Sequence, residues 1–291
     1  MKISLITINF NNVEGLRKTL ASVAEQTYHN IEHIIVDGGS TDDSVEVIRE
    51  YAEKPTPNPS LQGREIIWLS EPDNGIYNAI NKGICKASGD YIQILNSGDI
   101  LAAPDVTAKM VKELESERVR GLEDVSILYG NMLKDYGDGK MMRDTCGNEM
   151  YSPESFLYFY KGTLNHDCAY IRRDLFDKYG LYDEDMKICS DWAWYVKAIA
   201  LGGEKAVYTN IDVTIFDMNG VSESNGKNAD LIKIERREYL EKILPASVLR
   251  DYDQFAFPVL QYQRLNKYHL WGFVWLLERV LFKIEKWRIL R

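Results

Sequence analysis

Acidic side chains follow three apolar segments in the first hundred residues, where they could bind a ligand. Asp37 ends the segment IEHIIVD, Asp73 comes shortly after REIIWLS, and Asp99 follows YIQILNSG. A carboxylate in such a position can accept a hydrogen bond from a nucleobase imide or a ribose hydroxyl. It can also help to hold Mg²⁺ or Mn²⁺, since an ion between two phosphates needs only one or two carboxylates besides the phosphate oxygens. These residue types therefore predict a site for a phosphorylated ligand.

Two of these acids also have structural interpretations. Ser40, Thr41 or Asp42 is expected to cap the helix after Asp37, which leaves Asp37 available to a ligand. The SGD turn at Asp99 is explained equally well as a simple loop turn. From the residues alone, both interpretations of Asp99 stay open.

The segment after Asp73 is strongly polar for the start of a helix. That helix carries Asn78, Asn81 and Lys82, and polar groups at this density seldom face a core. A solvated helix start explains Asn78, whereas Asp73, Asn81 and Lys82 together favour a ligand site.

Alternating strands and helices must position these side chains. Apolar runs with β-forming residues predict four strands, which end near positions 9, 37, 70 and 96. Apolar residues spaced three and four apart predict helices between them, over about 13–24, 42–53 and 75–87. This alternation predicts an α/β fold with a mostly parallel sheet flanked by helices. Ligands of such sheets bind beyond the carboxyl ends of the strands, where the three acids are expected.

Composition and charge exclude several classes of protein. The 291-residue chain has a formal net charge of -9, which is unsuited to nucleic acid because that binding depends on Lys and Arg neutralising phosphates. Four cysteines without C-x-x-C spacing fit a reducing compartment. No apolar run reaches the roughly 18 residues of a membrane span, and the N-terminal run lacks a small-residue cleavage site. We therefore predict a cytoplasmic protein that is not integral to a membrane.

The last 25 residues, from Lys267, combine aromatic and aliphatic side chains with six Lys or Arg and two Glu. This pattern is typical of a cationic amphipathic helix with aromatic anchors. One interpretation is peripheral docking on the anionic inner face of the cytoplasmic membrane. The other is packing in the core or in a homodimer.

Together these motifs resemble the family 2 glycosyltransferases, which have the Rossmann-like GT-A fold. The matching segments are VDGGSTDDS, SEPDNGIYNAINKG and ASGDYIQILNSGD, with an opening strand that carries Thr7 and Asn9. The resemblance is strong over about residues 1–100 and looser to about 225. Within the family it points to the branch that acts in bacterial capsule, O-antigen or exopolysaccharide assembly.

The resemblance implies roles for individual residues. A nucleoside-diphosphate sugar would be the donor, and six residues would bind it: Thr7, Asn9, Asp37, Asp73, Asn81 and Lys82. Asp99 would ligate a divalent cation, Mg²⁺ or Mn²⁺, on the diphosphate. The sequence departs from the family's Asp-x-Asp pattern, with Asn96 and Gly98 where acids often stand, so only Asp99 supplies charge for a metal at that turn.

The family's catalytic base is an acid at the start of a helix in the second half, which corresponds here to Asp191 in KICSDWAWYVKAI. Ser190 or Asp191 is alternatively explained as the cap of that helix. With Ser190 as the cap, Asp191 is expected to point into the cleft. His166, in GTLNHDCAYIRR, matches a family histidine before a short strand. It is a second candidate for contact with the metal or diphosphate, with a buried structural histidine as the alternative.

The expected organisation is a GT-A domain over 1–225 and a helical C-terminal extension over 226–291. The domain has a nucleotide-sugar half at about 1–120 and an acceptor half at about 121–225, with a mobile loop over 216–228. The implied activity is inverting, non-processive transfer of one sugar to a hydroxyl of a glycan, in particular a lipid-linked glycan, in surface polysaccharide biosynthesis. The alternative is a nucleotide-sugar-binding subunit without catalysis.

Overall fold

Strand and helix alternation builds the N-terminal half. The computed structural model describes residues 1–53, 64–119, 125–137, 140–146, 155–218, 228–267, 270, 272, 275–277 and 279–282. The first four strands are β1 (Ile3–Asn9), β2 (Ile31–Asp37), β3 (Glu65–Ser70) and β4 (Tyr91–Asn96). Between them lie the helices α1 (Val13–Ala24), α2 (Ser44–Glu53) and α3 (Ile76–Lys86). The predicted α/β alternation is confirmed.

The second half extends the same sheet. Its strands are β5 (Ile100–Leu101), β6 (Ile127–Asp135), β7 (Met141–Asp144), β8 (Ala169–Arg172) and β9 (Ala206–Asp217). Its helices are α4 (Val106–Val119), α5 (Phe156–Lys161), α6 (Asp174–Tyr179), α7 (Ser190–Tyr195), α8 (Ala229–Ile243) and α9 (Ala246–Lys267). A 3₁₀ turn (His166–Cys168) precedes β8, and α7 continues as a π-helical segment (Val196–Leu201).

Within the described residues, nine strands form one mixed sheet. Its order is β3-β2-β1-β4-β8-β6-β9-β5, with β7 paired to β6. The four N-terminal strands are parallel, β8 is antiparallel to both of its neighbours, and β9 is parallel to β6. This agrees with the predicted Rossmann-like arrangement.

The register of the parallel strands brings polar strand ends together. Asn9 pairs with Asp37, and Asp37 pairs with Ser70. Ile8 pairs with Asn96 at the end of β4. Because parallel strands all end at the same edge, residues far apart in sequence lie side by side there.

Helices cover both faces of the sheet, as the continuous apolar strands require. Ile6 and Ile34 pack with α3 on one face. Ile35 packs with α1 and α2 on the other face. Successive residues of a strand point to opposite faces, so an uninterrupted apolar strand must be buried on both sides.

The C-terminal helices are tied to the domain. Arg237 of α8 donates to both carboxylate oxygens of Asp253 in α9, at 2.9 and 2.8 Å. Tyr252 of α9 packs edge-on against Phe156 of α5. No helix among the described residues is both long enough and apolar enough to cross a membrane.

Candidate functional site

A cleft of about 850 Å³ lies beyond the carboxyl ends of β1 and β4. Asn9, Asp73, His166 and Asp191 line it, so four of the predicted site residues come together from distant parts of the chain. The other polar lining residues are Asn11, Asn12, Asn96, Ser97, Lys134, Asn165, Asp167, Lys187 and Asn228. Phe216 and Asn228 also line the cleft. Most of the predicted mobile loop over 216–228 lies outside the described residues.

Asp37 is buried and is not among the residues that line this cleft, so its predicted donor contact stays a prediction. Its two carboxylate oxygens accept hydrogen bonds from Asn9 Nδ2 at 2.9 Å, Ser40 N at 2.9 Å, Ser40 Oγ at 2.5 Å and Ser70 Oγ at 2.7 Å. Burial raises the pKa of Asp37, but these hydrogen bonds outweigh burial, and the pKa lies below its ordinary value. Asp37 thus orients Asn9, whose Oδ1 is buried without a hydrogen-bond partner in the described part of the chain.

Asp73 lies at the cleft next to an exposed aromatic ring. Its Oδ1 accepts from Gly75 N at 3.0 Å. A Cβ atom on Gly38 would meet Asp73 Oδ2 at 2.4 Å and the Phe10 ring at 3.2 Å. Glycine at 38 is therefore needed for the carboxylate to approach the strand end. Phe10 is 62% exposed and offers a ring face to a planar group.

Three predicted donor-binding residues do not line the cleft and make contacts within the protein, so their donor role stays a prediction. Thr7 is fully buried, with its hydroxyl 2.9 Å from His33 Nε2. Asn81 is buried and exchanges hydrogen bonds with the backbone N–H and C=O of Tyr182, at 3.0 and 2.9 Å. Lys82 pairs with Glu71 at 2.9 Å and donates to the Pro72 carbonyl. After Asp73, the side chains of Asn81 and Lys82 make hydrogen bonds and an ion pair within the protein. A sequence pattern cannot distinguish such contacts from ligand binding.

A carboxylate–imidazole–carboxylate row occupies the floor of the cleft. His166 Nδ1 lies 3.2 Å from Asp191 Oδ2, and His166 Nε2 lies 3.1 Å from Asp167 Oδ1. Burial lowers the pKa of His166, but the two carboxylates outweigh burial and hold its pKa well above the ordinary value. Both ring nitrogens of a protonated His166 are donors and face Asp167 and Asp191 here; contact of His166 with the metal or diphosphate stays a prediction.

Asp191 is held as a carboxylate in the first turn of α7. Burial raises its pKa, but His166, the Trp192 amide and the Tyr77 hydroxyl outweigh burial, so the pKa is lowered. Tyr77 Oη donates toward Asp191 Oδ1 at 3.0 Å. Burial and the Asp191 charge raise the pKa of Tyr77, which keeps Tyr77 a neutral donor. The expectation that Ser190 caps α7 and leaves Asp191 to the cleft is wrong in its first part, because Ser190 Oγ has no hydrogen-bond partner among the described residues.

Asp99, the predicted metal ligand, is buried and does not line the cleft. Its carbonyl accepts from Thr19 Oγ1 at 2.7 Å, so this part of the turn anchors α1. The family resemblance implies a divalent cation, yet no group of three or more His, Cys, Asp or Glu in the described ranges could hold one. Asp167 and Asn96 are the groups that fit: Asn96 Oδ1 is buried without a partner there, and one or two carboxylates suffice when phosphates supply further oxygens.

Two lysines complete the cleft and were not singled out from the sequence. Lys134 of β6 pairs with Asp144 at 2.8 Å, and Lys187 lies exposed just before α7. Tyr77 and Asp167 were also missed, although one lies inside the SEPDNGIYNAINKG motif and the other directly follows His166. Proximity to a motif was the available signal for these two and for Lys187, which begins the segment KICSDWAWYVKAI, whereas Lys134 had none.

The described fold matches solved glycosyltransferase structures. The S. aureus TarS 1-349 structure in complex with UDP-GlcNAc aligns with a TM-score of 0.62 at 16% identity, over 91% of this chain and 73% of that chain. The mannosyltransferase PcManGT from Pyrobaculum calidifontis, in complex with GDP-Man and Mn²⁺, aligns with a TM-score of 0.60 at 20% identity, over 91% and 69%. The predicted GT-A fold is confirmed.

Sequence comparison gives the family. An uncharacterized glycosyltransferase of Mycobacterium tuberculosis is 33% identical over 246 residues, which are 84% of this chain and 85% of that protein. A PGL/p-HBAD biosynthesis glycosyltransferase of Mycobacterium bovis is 25% identical over 217 residues, 75% and 77% of the two chains. The model of Glycosyl transferase family 2 matches residues 4–180. Because this match spans more than half of the chain, the protein belongs to glycosyl transferase family 2.

Proposed function

We propose that this protein transfers one sugar from a nucleoside-diphosphate sugar to an acceptor hydroxyl, with inversion at the anomeric carbon. One observation carries the proposal. The ionised carboxylate of Asp191 lies in the same cleft as the polar strand ends Asn9 and Asp73, held by His166 and Tyr77. A base and a nucleotide-sized cleft at the carboxyl edge of a parallel sheet are the two parts that such a reaction needs.

The donor lies across the ends of β1 and β4. Phe10 stacks on the nucleobase, because its exposed ring borders the Asp73 carboxylate. The Asp73 carboxylate and Asn9 Oδ1 accept hydrogen bonds from the nucleoside. Lys134 and Lys187 offset the charge of the diphosphate from the opposite side of the cleft. The solved neighbours bound to UDP-GlcNAc and to GDP-Man support this class of donor.

Asp191 acts as the general base. The acceptor hydroxyl gives its proton to the Asp191 carboxylate while its oxygen attacks the anomeric carbon. The bond between the anomeric carbon and the phosphate oxygen breaks, and its electron pair leaves with the diphosphate. His166, protonated between two carboxylates, holds Asp191 in place. A single displacement from the face opposite the leaving group inverts the anomeric centre and needs no covalent enzyme intermediate.

Asp167 and Asn96 would hold a divalent cation when one is bound. Such an ion supplies electrostatic stabilisation of the departing diphosphate. Asp167 also keeps His166 charged, so this carboxylate serves the base as well.

The acceptor is a glycan hydroxyl. The composition and exposure of the C-terminal segment, the last 25 residues, favour a lipid-linked glycan. Trp275, Leu276 and Leu277 are each about half exposed, at 52, 56 and 49%, and the last 25 residues contain six Lys or Arg. We infer that this segment docks on an anionic membrane surface, which places the cleft near lipid-linked acceptors. The bacterial capsule, O-antigen or exopolysaccharide branch remains a prediction.

The substitution Asp191→Asn tests the proposed base. An amide cannot take the acceptor proton but still accepts a hydrogen bond from Tyr77, so turnover is expected to fall about 10²–10⁴-fold with unchanged donor affinity. Turnover is measured as UDP or GDP release from UDP-GlcNAc and GDP-mannose, and affinity by calorimetry.

Asp185→Asn, at an exposed acid of the preceding loop, is the matched control and should behave as wild type. Unchanged turnover of Asp191→Asn would remove Asp191 as the base. Donor binding by the wild type without any turnover, in the presence of candidate acceptors, would favour a non-catalytic nucleotide-sugar-binding subunit.

A further inference from the structure

A buried carboxylate of α8 holds the backbone that leads into α7. Glu235 is 8% exposed. It accepts hydrogen bonds from three consecutive amides: Lys187 N at 2.6 Å, Ile188 N at 3.0 Å and Cys189 N at 2.9 Å. Asp191 follows two residues later. A side chain 44 residues further along the sequence from Asp191 therefore fixes the segment just ahead of it.

The start of α7 has no local side-chain cap that could replace Glu235. Cys189 occupies the N-cap position, and its side chain makes no capping hydrogen bond. Ser190 Oγ finds no partner within the described residues. Amide groups at a helix start need an acceptor, and the Glu235 carboxylate provides one for the peptide groups that enter α7.

The peptide groups around Ile188 are held from two directions. Glu235 accepts from its amide, and Tyr77 Oη donates to its carbonyl at 2.5 Å. The same hydroxyl lies 3.0 Å from Asp191 Oδ1. Tyr77 has one hydroxyl hydrogen for both acceptors, so the position of Ile188 affects how Tyr77 meets the Asp191 carboxylate.

Helix α8 also contacts the chain after Asp191. Tyr239 Oη donates to the Ala193 carbonyl at 3.1 Å. The Arg236 guanidinium lies 4.9 Å from the centre of the Trp192 ring, which also packs edge-on against Tyr239. Residues before and after Asp191 are thus fastened to one helix. Both Asp191 and α8 lie beyond residues 4–180, which the family model matches.

We propose that Glu235 is a positioning residue for Asp191 and that α8 belongs to the catalytic apparatus. This rests on the proposed role of Asp191 as the base. Glu235 is absent from the residues that line the described cleft, so it acts on transfer through the 187–191 segment. Without its carboxylate, three amides lose their acceptor and Asp191 shifts relative to His166 and the reacting atoms.

The variants Glu235→Ala and Glu235→Gln of the full chain test this proposal. A misplacement of about 1 Å can cost 10²-fold in rate, so the kcat of Glu235→Ala is expected to fall about 10- to 100-fold. Glu235→Gln keeps one oxygen acceptor and should lose less. The Kd for UDP-GlcNAc or GDP-mannose, whichever the wild type turns over, should change less than kcat, because the donor contacts of Asn9, Phe10 and Asp73 lie on other elements. Amides 187–189 should exchange hydrogen faster in both variants.

Glu238→Ala, at an exposed position of the same helix, is the control and should match wild type in all three measurements. Wild-type kcat, equal losses of kcat and donor affinity, or unchanged exchange at 187–189 would each overturn the proposal. If Glu235→Ala does not fold, the same criteria apply to Glu235→Gln. Asp191→Asn separates the two hypotheses: if it is inactive while both Glu235 variants turn over normally, only the positioning role fails.

Discussion

At the scale of single residues, the charged groups around Asp191 determine its ionisation. Burial alone would raise the pKa of this carboxyl and weaken its ionisation. The imidazolium of His166 reverses that effect, and Asp167 on the far side keeps His166 protonated. The three side chains therefore function as one unit: Asp167 stabilises the positive charge of His166, and that charge stabilises the Asp191 carboxylate.

The substitution His166→Gln should move the acid limb of the pH–rate profile to higher pH. His166 lowers the pKa of Asp191, whereas burial raises it. Without the positive charge, burial prevails, the pKa of Asp191 rises, and the base is protonated at a higher pH than in the wild type. The profile of kcat/KM against pH measures this shift.

His29→Gln, at an exposed histidine before β2, should leave the profile unchanged. An acid limb at the wild-type pH in His166→Gln would show that His166 does not set the ionisation of Asp191.

At the scale of elements, α3 and the segment around 182–184 are locked together by polar side chains. Asn81 makes both hydrogen bonds to the Tyr182 backbone and a third to Glu184 at 2.9 Å. That segment leads to α7, so the clamp contributes to the distance between the nucleotide half of the cleft and the base. Elements that appear separate in sequence are fixed by these few buried contacts.

The substitution Asn81→Ala should lower stability rather than donor binding. It leaves a buried N–H and a buried C=O of Tyr182 without partners, which costs about 2 to 3 kcal/mol in the free energy of unfolding. Denaturant unfolding measures the loss, and calorimetry measures the Kd of the donor. Lys86→Ala, at an exposed position of the same helix, is the control and should change stability by less than about 0.5 kcal/mol. Loss of donor affinity without loss of stability would instead support the direct donor contact that the sequence suggested.

At the scale of the whole molecule, apolar exposure and positive charge meet in the C-terminal segment. Leu281 and Phe282 are 58 and 65% exposed, in a chain whose formal net charge is -9. In an otherwise acidic protein, a basic and apolar segment is the part expected to face an anionic surface. The two interpretations of the C-terminal segment, membrane docking and homodimer packing, predict different behaviour with vesicles and different molecular masses.

The full chain should sediment with vesicles of phosphatidylglycerol and phosphatidylcholine, but not with vesicles of phosphatidylcholine alone. Each Lys or Arg near an anionic surface contributes about 1 kcal/mol, and added salt should weaken the binding. Replacing Trp275, Leu276 and Leu277 by Ser should abolish sedimentation. Leu201→Ser, at an exposed leucine 53% accessible on the main domain, is the control. A lower molecular mass of the triple variant in light scattering, without any vesicle binding by the wild type, would favour the homodimer.

The sequence by itself determined the α/β alternation, the strand ends at Asn9, Asp37 and Asn96, and the family, because apolar periodicity and turn residues are local signals. Only the tertiary structure decided which polar residues face the cleft. Asp37 and Asn81 are of residue types that often bind ligands, yet their hydrogen bonds are made to other groups of the protein. Conversely, Lys187 gains its place in the cleft, and Glu235 its hold on α7, from contacts between chain segments far apart in sequence. Whether a polar residue faces the cleft depends on which groups lie near it in the folded protein, and residue type and spacing in the sequence do not specify those groups.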